Sequence, residues 1–336
     1  RKGAPVHFSV IENYISTTYA NKMVQGPAPS NGMRVAIIGS GPAGLTIAVL
    51  LARKGYQVTI FDGKDKIGGV LRYGIPAYRL PKSVLDDFEY HHLQLKGIRF
   101  RPNTTIGASI GIDDLFRDGY KAIFVGTGVW QPNALHIKGE TLGNVHFGIN
   151  YLNNPDSYHL GETVIVIGAG NAAMDVCRTA VRKGARHVIC FSRSSHVAAS
   201  KDEFMYAELE GVEFVYKKQP VEIVDDGVIF QDMDEDEAGK LKPVEGSEQL
   251  YKADSVIVSI GQGPRNRIVS TTMGLEVDSR GLLVADENGH TTRAGIFASG
   301  DVVNGARTVV EAVEHSKKVA EAMDEYMQAC AAKEKE

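Results

Sequence analysis

The stretch Arg34 to Asp62, RVAIIGSGPAGLTIAVLLARKGYQVTIFD, decides the fold. An apolar run, Val35-Ala36-Ile37-Ile38, enters Gly39-Ser40-Gly41-Pro42-Ala43-Gly44. An apolar periodic segment follows to Lys54 and Gly55, and a second strand-like run spans Tyr56 to Phe61. The order is strand, glycine turn, helix, strand. Gly39 permits the tight turn, Gly41 lets the backbone approach a pyrophosphate, and Gly44 lets the helix pack closely on the strand. The start of the helix then faces the phosphates with free N–H groups and the positive end of its dipole. Asp62 ends the second strand, at the distance expected of a carboxylate that accepts hydrogen bonds from a ribose diol. Because every element the motif needs flanks it, the stretch reads as a dinucleotide-binding unit.

The same pattern returns farther on. Thr163-Val164-Ile165-Val166-Ile167 leads into Gly168-Ala169-Gly170-Asn171-Ala172-Ala173, a helix runs to Lys183-Gly184, and a strand from His187 to Ser192 ends at Arg193. Gly39 and Gly168 lie 129 residues apart, a domain-sized duplication too long for a solenoid repeat. The chain is therefore expected to be an α/β protein of two Rossmann-like dinucleotide-binding domains, the second inserted in the first, behind a short helical N-terminal segment. The expected boundaries are 1–33 for that helix and its linker, 34–131 with 268–336 for the first domain, and 132–267 for the inserted one. Where the first site has Asp62, the second has Arg193. A guanidinium there can hydrogen-bond a 2′-phosphate, each charge-assisted bond being worth about 1.5–3 kcal/mol, so the second site favours NADP(H). Ser194 and Lys201 are possible helpers, and the competing reading of Arg193 is a solvated surface residue.

Between the motifs, Phe8 to Tyr19 has helical spacing and Gly26 to Gly32 reads as a linker. Gly68 to Pro76 with Arg79-Leu80-Pro81 reads as an ordered loop pressed against a ligand. Ser83 to Lys96 should be a helix ended by Gly97. Ile98 to Arg101 and Lys121 to Val125 read as strands, the second closing on Gly126-Thr127-Gly128, and Ile106 sits in a turn where backbone can meet a base. Residues 129–160 change sheets. Phe214-Val215-Tyr216 and Val228-Ile229-Phe230 read as short antiparallel strands, and Asp234 to Glu237 as a solvated hairpin tip. A buried strand, Ala253 to Gly261, mirrors Ala122 to Gly128. A last strand ends at Gly300-Asp301, and a helix starts near Thr308.

A formal net charge of −4 and a pI near 6.2 give no electrostatic reason to expect a nucleic acid or an anionic membrane as partner. Cys177, Cys190 and Cys330 are far apart and form no CxxC, which argues against a disulfide framework or metal cluster and for reduced thiols in the cytoplasm. No apolar run approaches the ~18 residues of a membrane span, and no signal peptide is visible. The sequence begins Arg-Lys-Gly without a methionine, so it is expected to belong to something longer.

Taken together, the first glycine motif, Gly68-Gly69-Val70-Leu71-Arg72-Tyr73-Gly74-Ile75-Pro76 with Arg79-Leu80-Pro81, Gly168-Ala169-Gly170-Asn171-Ala172-Ala173-Met174-Asp175 and Gly300-Asp301 resemble a known family. It is that of the small (beta) subunit of bacterial NADPH-dependent glutamate synthase, with the flavin part of dihydropyrimidine dehydrogenase and the flavoprotein subunits of bifurcating transhydrogenases. The resemblance runs from about Pro5 to about Tyr326. It implies FAD in the first domain and NADPH in the second. Gly39, Ser40, Gly41, Pro42, Ala43 and Gly44 would surround the FAD pyrophosphate, with Asp62 at the adenosine ribose and Ile106 at the adenine. Gly69, Val70, Leu71 and Arg79 would lie on the phosphate and flavin side, and Gly126, Thr127 and Gly128 would close the same site. Gly300 and Asp301 would meet the ribityl chain, and Thr308 and Val309 the pyrimidine end of the flavin. NADPH would meet Gly168, Gly170, Asn171, Ala172, Asp175 and Arg193. The family's complete subunits carry cysteine-rich segments that bind [4Fe–4S] clusters ahead of this region; those cysteines are absent here, so the clusters are expected on a preceding segment or another chain. Ser194 stands where the family usually has a second basic residue, which keeps NADH possible as donor.

The expected chemistry is hydride transfer from NADPH to FAD, then release of electrons to an iron–sulfur acceptor outside this chain, with no side chain required as acid or base. Competing readings are a pyridine nucleotide–disulfide reductase, which needs a redox CxxC, a flavin monooxygenase, and a non-catalytic flavin-bound structural subunit. Cys177 reads as core packing.

Overall fold

The computed structural model describes residues 7–19, 22, 28–94, 97–236 and 240–334. Helix α1 (Phe8–Tyr19) comes first, with none of its residues buried. The expected linker lies outside the described residues as far as Pro27.

The opening stretch folds as β1 (Arg34–Ile38), α2 (Pro42–Arg53) and β2 (Gln57–Phe61). Lys54 caps α2, and Gly55 turns the chain back at φ +89°. After α3 (Val70–Tyr73), helix α4 (Ser83–Phe88) widens into one π-helical turn, Glu89–Leu93. Leu95 and Lys96, the expected end of that helix, lie outside the described residues. Then come β3 (Arg99–Arg101), α5 (Ile112–Arg117) and β4 (Tyr120–Val125). The short β5 (Gln131–Pro132) leads out of this half, and the chain enters β6 (Val145–Phe147), α6 (Gly148–Asn153), β7 (Thr163–Ile167), α7 (Asn171–Arg182), β8 (His187–Phe191), α8 (Lys201–Leu209) and β9 (Glu213–Val215). Four strands follow, β10 (Lys218–Val224), β11 (Gly227–Glu235), β12 (Leu241–Pro243) and β13 (Gln249–Lys252), then β14 (Ser255–Val258) and the returning β15 (Gln262–Gly263). The last elements are α9 (Arg267–Ser270), β16 (Ile296–Ala298), α10 (Asp301–Asn304) and α11 (Val309–Lys333).

Two five-stranded parallel sheets result. One has the order β16-β4-β1-β2-β3 and the other β6-β14-β7-β8-β9. Both central strands are continuous apolar runs because both sheet faces are covered. On β1 the alternation of side chains sends Val35 and Ile37 into a core with Leu51 of α2 and Met323 of α11, and Ala36 and Ile38 into another with Ile112, Ile268 and Val302. The crossing between halves is made twice, at β5 and β15, which pair antiparallel as Gln262↔Pro132 and Gly263↔Gln131.

A shift of 129 residues carries β1 onto β7 and α2 onto α7, end for end. Even the turn bonds repeat: Gly39 N–H donates to Phe61 O at 2.8 Å, and Gly168 N–H to Phe191 O at 3.0 Å.

One strand reading is corrected. Phe214 and Val215 belong to β9, parallel to β8, and not to an antiparallel pair with Val228 to Phe230. The antiparallel partners of β11 are β10 and β13. Pro220 hides β10 in the sequence, since proline cannot donate to a ladder, and the pairing accommodates it with a register shift between Pro220 and Glu222. Asp234 and Glu235 end β11 in a hairpin with β12, whereas Glu237 lies outside the described residues.

Candidate functional site: a cleft shared by two glycine turns

Each glycine turn sits at the carboxyl end of a central strand, where an open parallel sheet presents its crevice. Both turns open into one cleft of about 1820 Å³, against roughly 300–1,000 Å³ for a single small-molecule site. The glycines divide the work by position. A Cβ on Gly39 would come within 2.4 Å of Gly126 O, and one on Gly44 within 2.0 Å of Gly39 O; these two serve the packing of the turn. A Cβ on Gly41 would meet nothing within 4 Å, so that face of the backbone lies open to the cleft. Gly168 and Gly170 repeat the contrast, the first 2.2 Å from Ser259 O and the second in open space.

Gly41 and Gly170 are the N-caps of α2 and α7, extended and without a side-chain cap. The starts of both helices thus face the cleft without a side-chain cap, together with the positive dipole ends; Pro42, first in α2, has no N–H, so the free donors of that helix begin at Ala43. These are the properties a pyrophosphate needs, and the residues present fit a dinucleotide at each turn.

Asp62 directly follows β2, where the strand was expected to end, and its carboxylate also braces the turn. Oδ2 accepts from Ser40 N–H at 2.7 Å and Ser40 Oγ at 2.5 Å, and Oδ1 accepts from Lys64 N–H at 2.8 Å. Gly300, at φ +76°, brings its backbone against Ala43, which a Cβ would approach to 3.1 Å. Asp301 follows as the first residue of α10, half-buried, with Oδ1 accepting from Arg307 N–H at 3.3 Å. Burial pushes its carboxyl above the usual carboxylate range, and neighbouring Glu311 adds to the rise. Thr308 and Glu311 form a capping box at the start of α11. Glu311 N–H is used on Thr308 Oγ1 at 3.3 Å, and Val309 lines the cleft beside it.

Of the expected site residues, Gly39, Ser40, Gly41, Pro42, Ala43, Asp62, Gly69, Val70, Arg79, Ile106, Gly126, Thr127, Gly128, Gly300, Asp301, Thr308 and Val309 line this cleft from the first half. Gly170, Asn171, Ala172 and Asp175 line it from the second. Gly44 and Gly168 stand behind the turns, Leu71 is half-buried outside the lining, and Arg193 is exposed after β8, also outside it. The loop carrying Arg193 is nonetheless tied over the second turn: Ala198 and Ala199 N–H donate to Ala169 O, and Ser200 N–H to Asn171 Oδ1.

Two side chains that the sequence did not single out also line the cleft. Lys64 reaches across to Asn153 Oδ1 at 2.9 Å and lies over the rings of Tyr73 and Trp130. Trp130, the single tryptophan, precedes the crossing strand β5. The available signals were their places, two residues after Asp62 and two after Gly128.

The profile of the pyridine nucleotide-disulphide oxidoreductase family matches residues 33–316. The glutamate synthase [NADPH] small chain of Escherichia coli is 34% identical over 328 residues, which cover 88% of this chain and 69% of that protein. The chain belongs to this family, among the glutamate synthase small chains. The NADP(+)-dependent formate dehydrogenase subunit beta of Moorella thermoacetica is 36% identical over 89% of this chain and only 45% of its own length. The structure of Mycobacterium tuberculosis FprA in complex with NADPH superposes with a TM-score of 0.75 at 17% identity, covering 91% of this chain and 86% of that one, which speaks to fold. As a pyridine nucleotide-disulphide oxidoreductase of the glutamate synthase small-chain type, the protein is an NAD(P)H-dependent flavin oxidoreductase. No cysteine is among the described residues that line the cleft, and Cys177 and Cys190 are buried in the second half. No described helix is long and apolar enough to cross a membrane.

Proposed function

We propose that the chain binds FAD at the first glycine turn and NADPH at the second, takes hydride from NADPH, and delivers electrons to an iron–sulfur acceptor outside this chain. The observation that carries the reading is the opening of two uncapped helix starts, α2 and α7, into one cleft. When bound, FAD supplies the hydride acceptor and the one-electron donor, so the work of the protein is placement. Gly41 and the start of α2 hold the FAD pyrophosphate, Asp62 its adenosine ribose, and Ile106 the adenine. Asp301 holds the ribityl chain. The start of α11 faces the pyrimidine end, where its dipole stabilises negative charge. Gly170, Asn171 and Ala172 receive the NADPH pyrophosphate, and Arg193 its 2′-phosphate.

On this reading residues 34–131 and 268–336 form the FAD domain, 132–267 the NADPH domain, and 1–33 an N-terminal helix and linker. The antiparallel crossing of β5 and β15 supports that division. The names of the E. coli and Azospirillum brasilense relatives, both small chains of glutamate synthase, support a larger partner chain as the route to the acceptor. Three free cysteines support a reducing, cytoplasmic setting.

Anaerobic stopped-flow mixing of the flavin-loaded protein with NADPH tests the reading. Bleaching of the flavin band near 450 nm, faster with NADPH than with NADH, is the expected result. No bleaching by either nucleotide overturns it.

A further inference from the structure

We propose that Arg79, gripped by Asp175 and Glu203, is a positioning residue for hydride transfer: it locks the angle between the two halves at which both nucleotides meet. The inference rests on the two-nucleotide reading above, and it assigns to Glu203 and Asp175 a task other than touching a cofactor.

Arg79 belongs to the loop of the first half that follows α3, whereas Asp175 and Glu203 lie on α7 and α8 of the second. The guanidinium Nη1 donates to both Asp175 oxygens, at 2.8 and 2.7 Å, and Nη2 pairs with Glu203 Oε1 at 2.6 Å. A planar guanidinium bound on two edges by two carboxylates fixes orientation as well as distance, which a lysine point charge cannot do. The receptor is itself braced. Glu203 Oε2 accepts from Arg178 Nη1 at 3.1 Å, and Arg178 and Arg182 both bind Glu210 at 2.8 Å. Tyr78, next to Arg79 in the chain, lays its ring against the same two arginines, 4.9 Å from Arg178 and 4.2 Å from Arg182. Consecutive residues of one half therefore plug into a socket on the other that holds three carboxylates against two arginines, and Arg79 supplies the third cation that balances it.

The socket is a poor device for simple stabilisation. The Asp175 side chain is 6% exposed and that of Glu203 14%. Burial pushes the Asp175 carboxyl above the usual range even though Arg79 binds both its oxygens. The desolvation cost of burying these carboxylates offsets much of their attraction to Arg79, so net stability is a weak account of the socket. The geometry at stake is set within the cleft, since Arg79 and Asp175 line it along with the start of α7. A misplacement of about 1 Å between reacting groups costs on the order of a hundredfold in rate.

The test uses the flavin-loaded full chain in a Cys330→Ser background, spin-labelled at Arg53→Cys and Glu213→Cys, exposed positions on the two halves. Pulsed dipolar spectroscopy reads the distance distribution between the labels, and stopped-flow bleaching of the unlabelled protein gives the rate at saturating NADPH. Arg79→Gln and Glu203→Gln are each expected to broaden the distribution and lower the saturating rate about tenfold or more. The double variant should go no further than the worse single, and Arg79→Lys should recover part of both. A merely structural pair would lower the melting midpoint without changing the distance distribution of the folded protein. If Arg79→Gln does not fold, Glu203→Gln carries the same comparison. Unchanged distributions, or effects of the two substitutions that simply add, overturn the grip while leaving the two-nucleotide reading intact. Failure of NADPH to bleach the wild type overturns both.

Discussion

Ser40 gives Asp62 two hydrogen bonds, 2.7 Å from its N–H and 2.5 Å from its hydroxyl, both to Oδ2. With the Lys64 N–H on Oδ1, three of the roughly four acceptor positions of a carboxylate are taken. One remains for a ribose hydroxyl, and the turn proposed to hold the FAD pyrophosphate is braced by the same side chain. Asp62→Ala should therefore weaken FAD binding by about ten- to a hundredfold, the range for one charge-assisted bond, and Asp62→Asn should fall between. NADP⁺ affinity at the second turn should change less than about twofold, because the Asp62 carboxylate bonds Ser40 and Lys64 of the first half and shares no partner with that turn among the described residues. Flavin titration of the flavin-free protein beside NADP⁺ calorimetry checks this, and an equal loss at both sites would contradict the assignment.

The glycines can be separated by what a methyl group would strike. Gly41→Ala adds a Cβ with no protein atom within 4 Å, at an ordinary φ of −73°. It should fold like the wild type and yet lose FAD, because the methyl would enter the space proposed for the pyrophosphate. Gly44→Ala pushes a Cβ to within 2.0 Å of Gly39 O and should destabilise the fold by at least ~1–3 kcal/mol. Gly170→Ala and Gly168→Ala should behave likewise for NADPH. Denaturation midpoints together with flavin content distinguish the two kinds of loss; a Gly41→Ala protein that retains full flavin would place the pyrophosphate elsewhere.

Arg193 makes no hydrogen bond, ion pair or ring contact among the described residues, so its five donors are available to a ligand. Ser194 is less free, its hydroxyl donating to His196 O at 2.8 Å. Arg193→Ala should raise KM for NADPH about ten- to a hundredfold and leave KM for NADH within about twofold, since only the phosphate contact is lost. Parallel steady-state kinetics with both donors decide the matter. Equal effects on the two would return Arg193 to the solvated surface.

The two βαβ units were legible because their signals are local. A glycine turn between an apolar run and a helix is written within about 30 residues, and the shift of 129 between Gly39 and Gly168 repeats it. The role of Arg79 was not legible. Its partners Asp175 and Glu203 are remote in the chain, 96 residues away in the case of Asp175, and nothing short-range distinguishes a guanidinium aimed at a phosphate from one aimed at a carboxylate on another domain. The same limit hid Lys64 and Trp130, whose meeting depends on the crossing at β5. Strand β10 was lost for the opposite reason, a misleading local signal, because Pro220 marks a register shift inside a ladder and not the end of one.

Asp301 gives a pH prediction whose sign follows from burial. Its carboxyl is raised above the ordinary value of about 3.9, with burial the leading cause, Glu311 adding to it and the Arg307 N–H opposing it. A raised folded pKa means that the folded protein holds the proton to higher pH than the unfolded chain. The stability this contributes is full below the unfolded pKa and is lost as pH rises through the folded one. Once ionised, above its folded pKa, Asp301 thus costs stability in the flavin-free protein. Asp301→Asn should raise the melting midpoint of flavin-free protein most at the high end of the pH range, and the gain over wild type should shrink as pH falls through the raised folded pKa. The same substitution should lower FAD affinity, the trade expected where a buried charge is kept for a ligand. Melting curves across this pH range, with and without FAD, check both halves; a gain that grows toward low pH would reverse the sign and with it the account of Asp301.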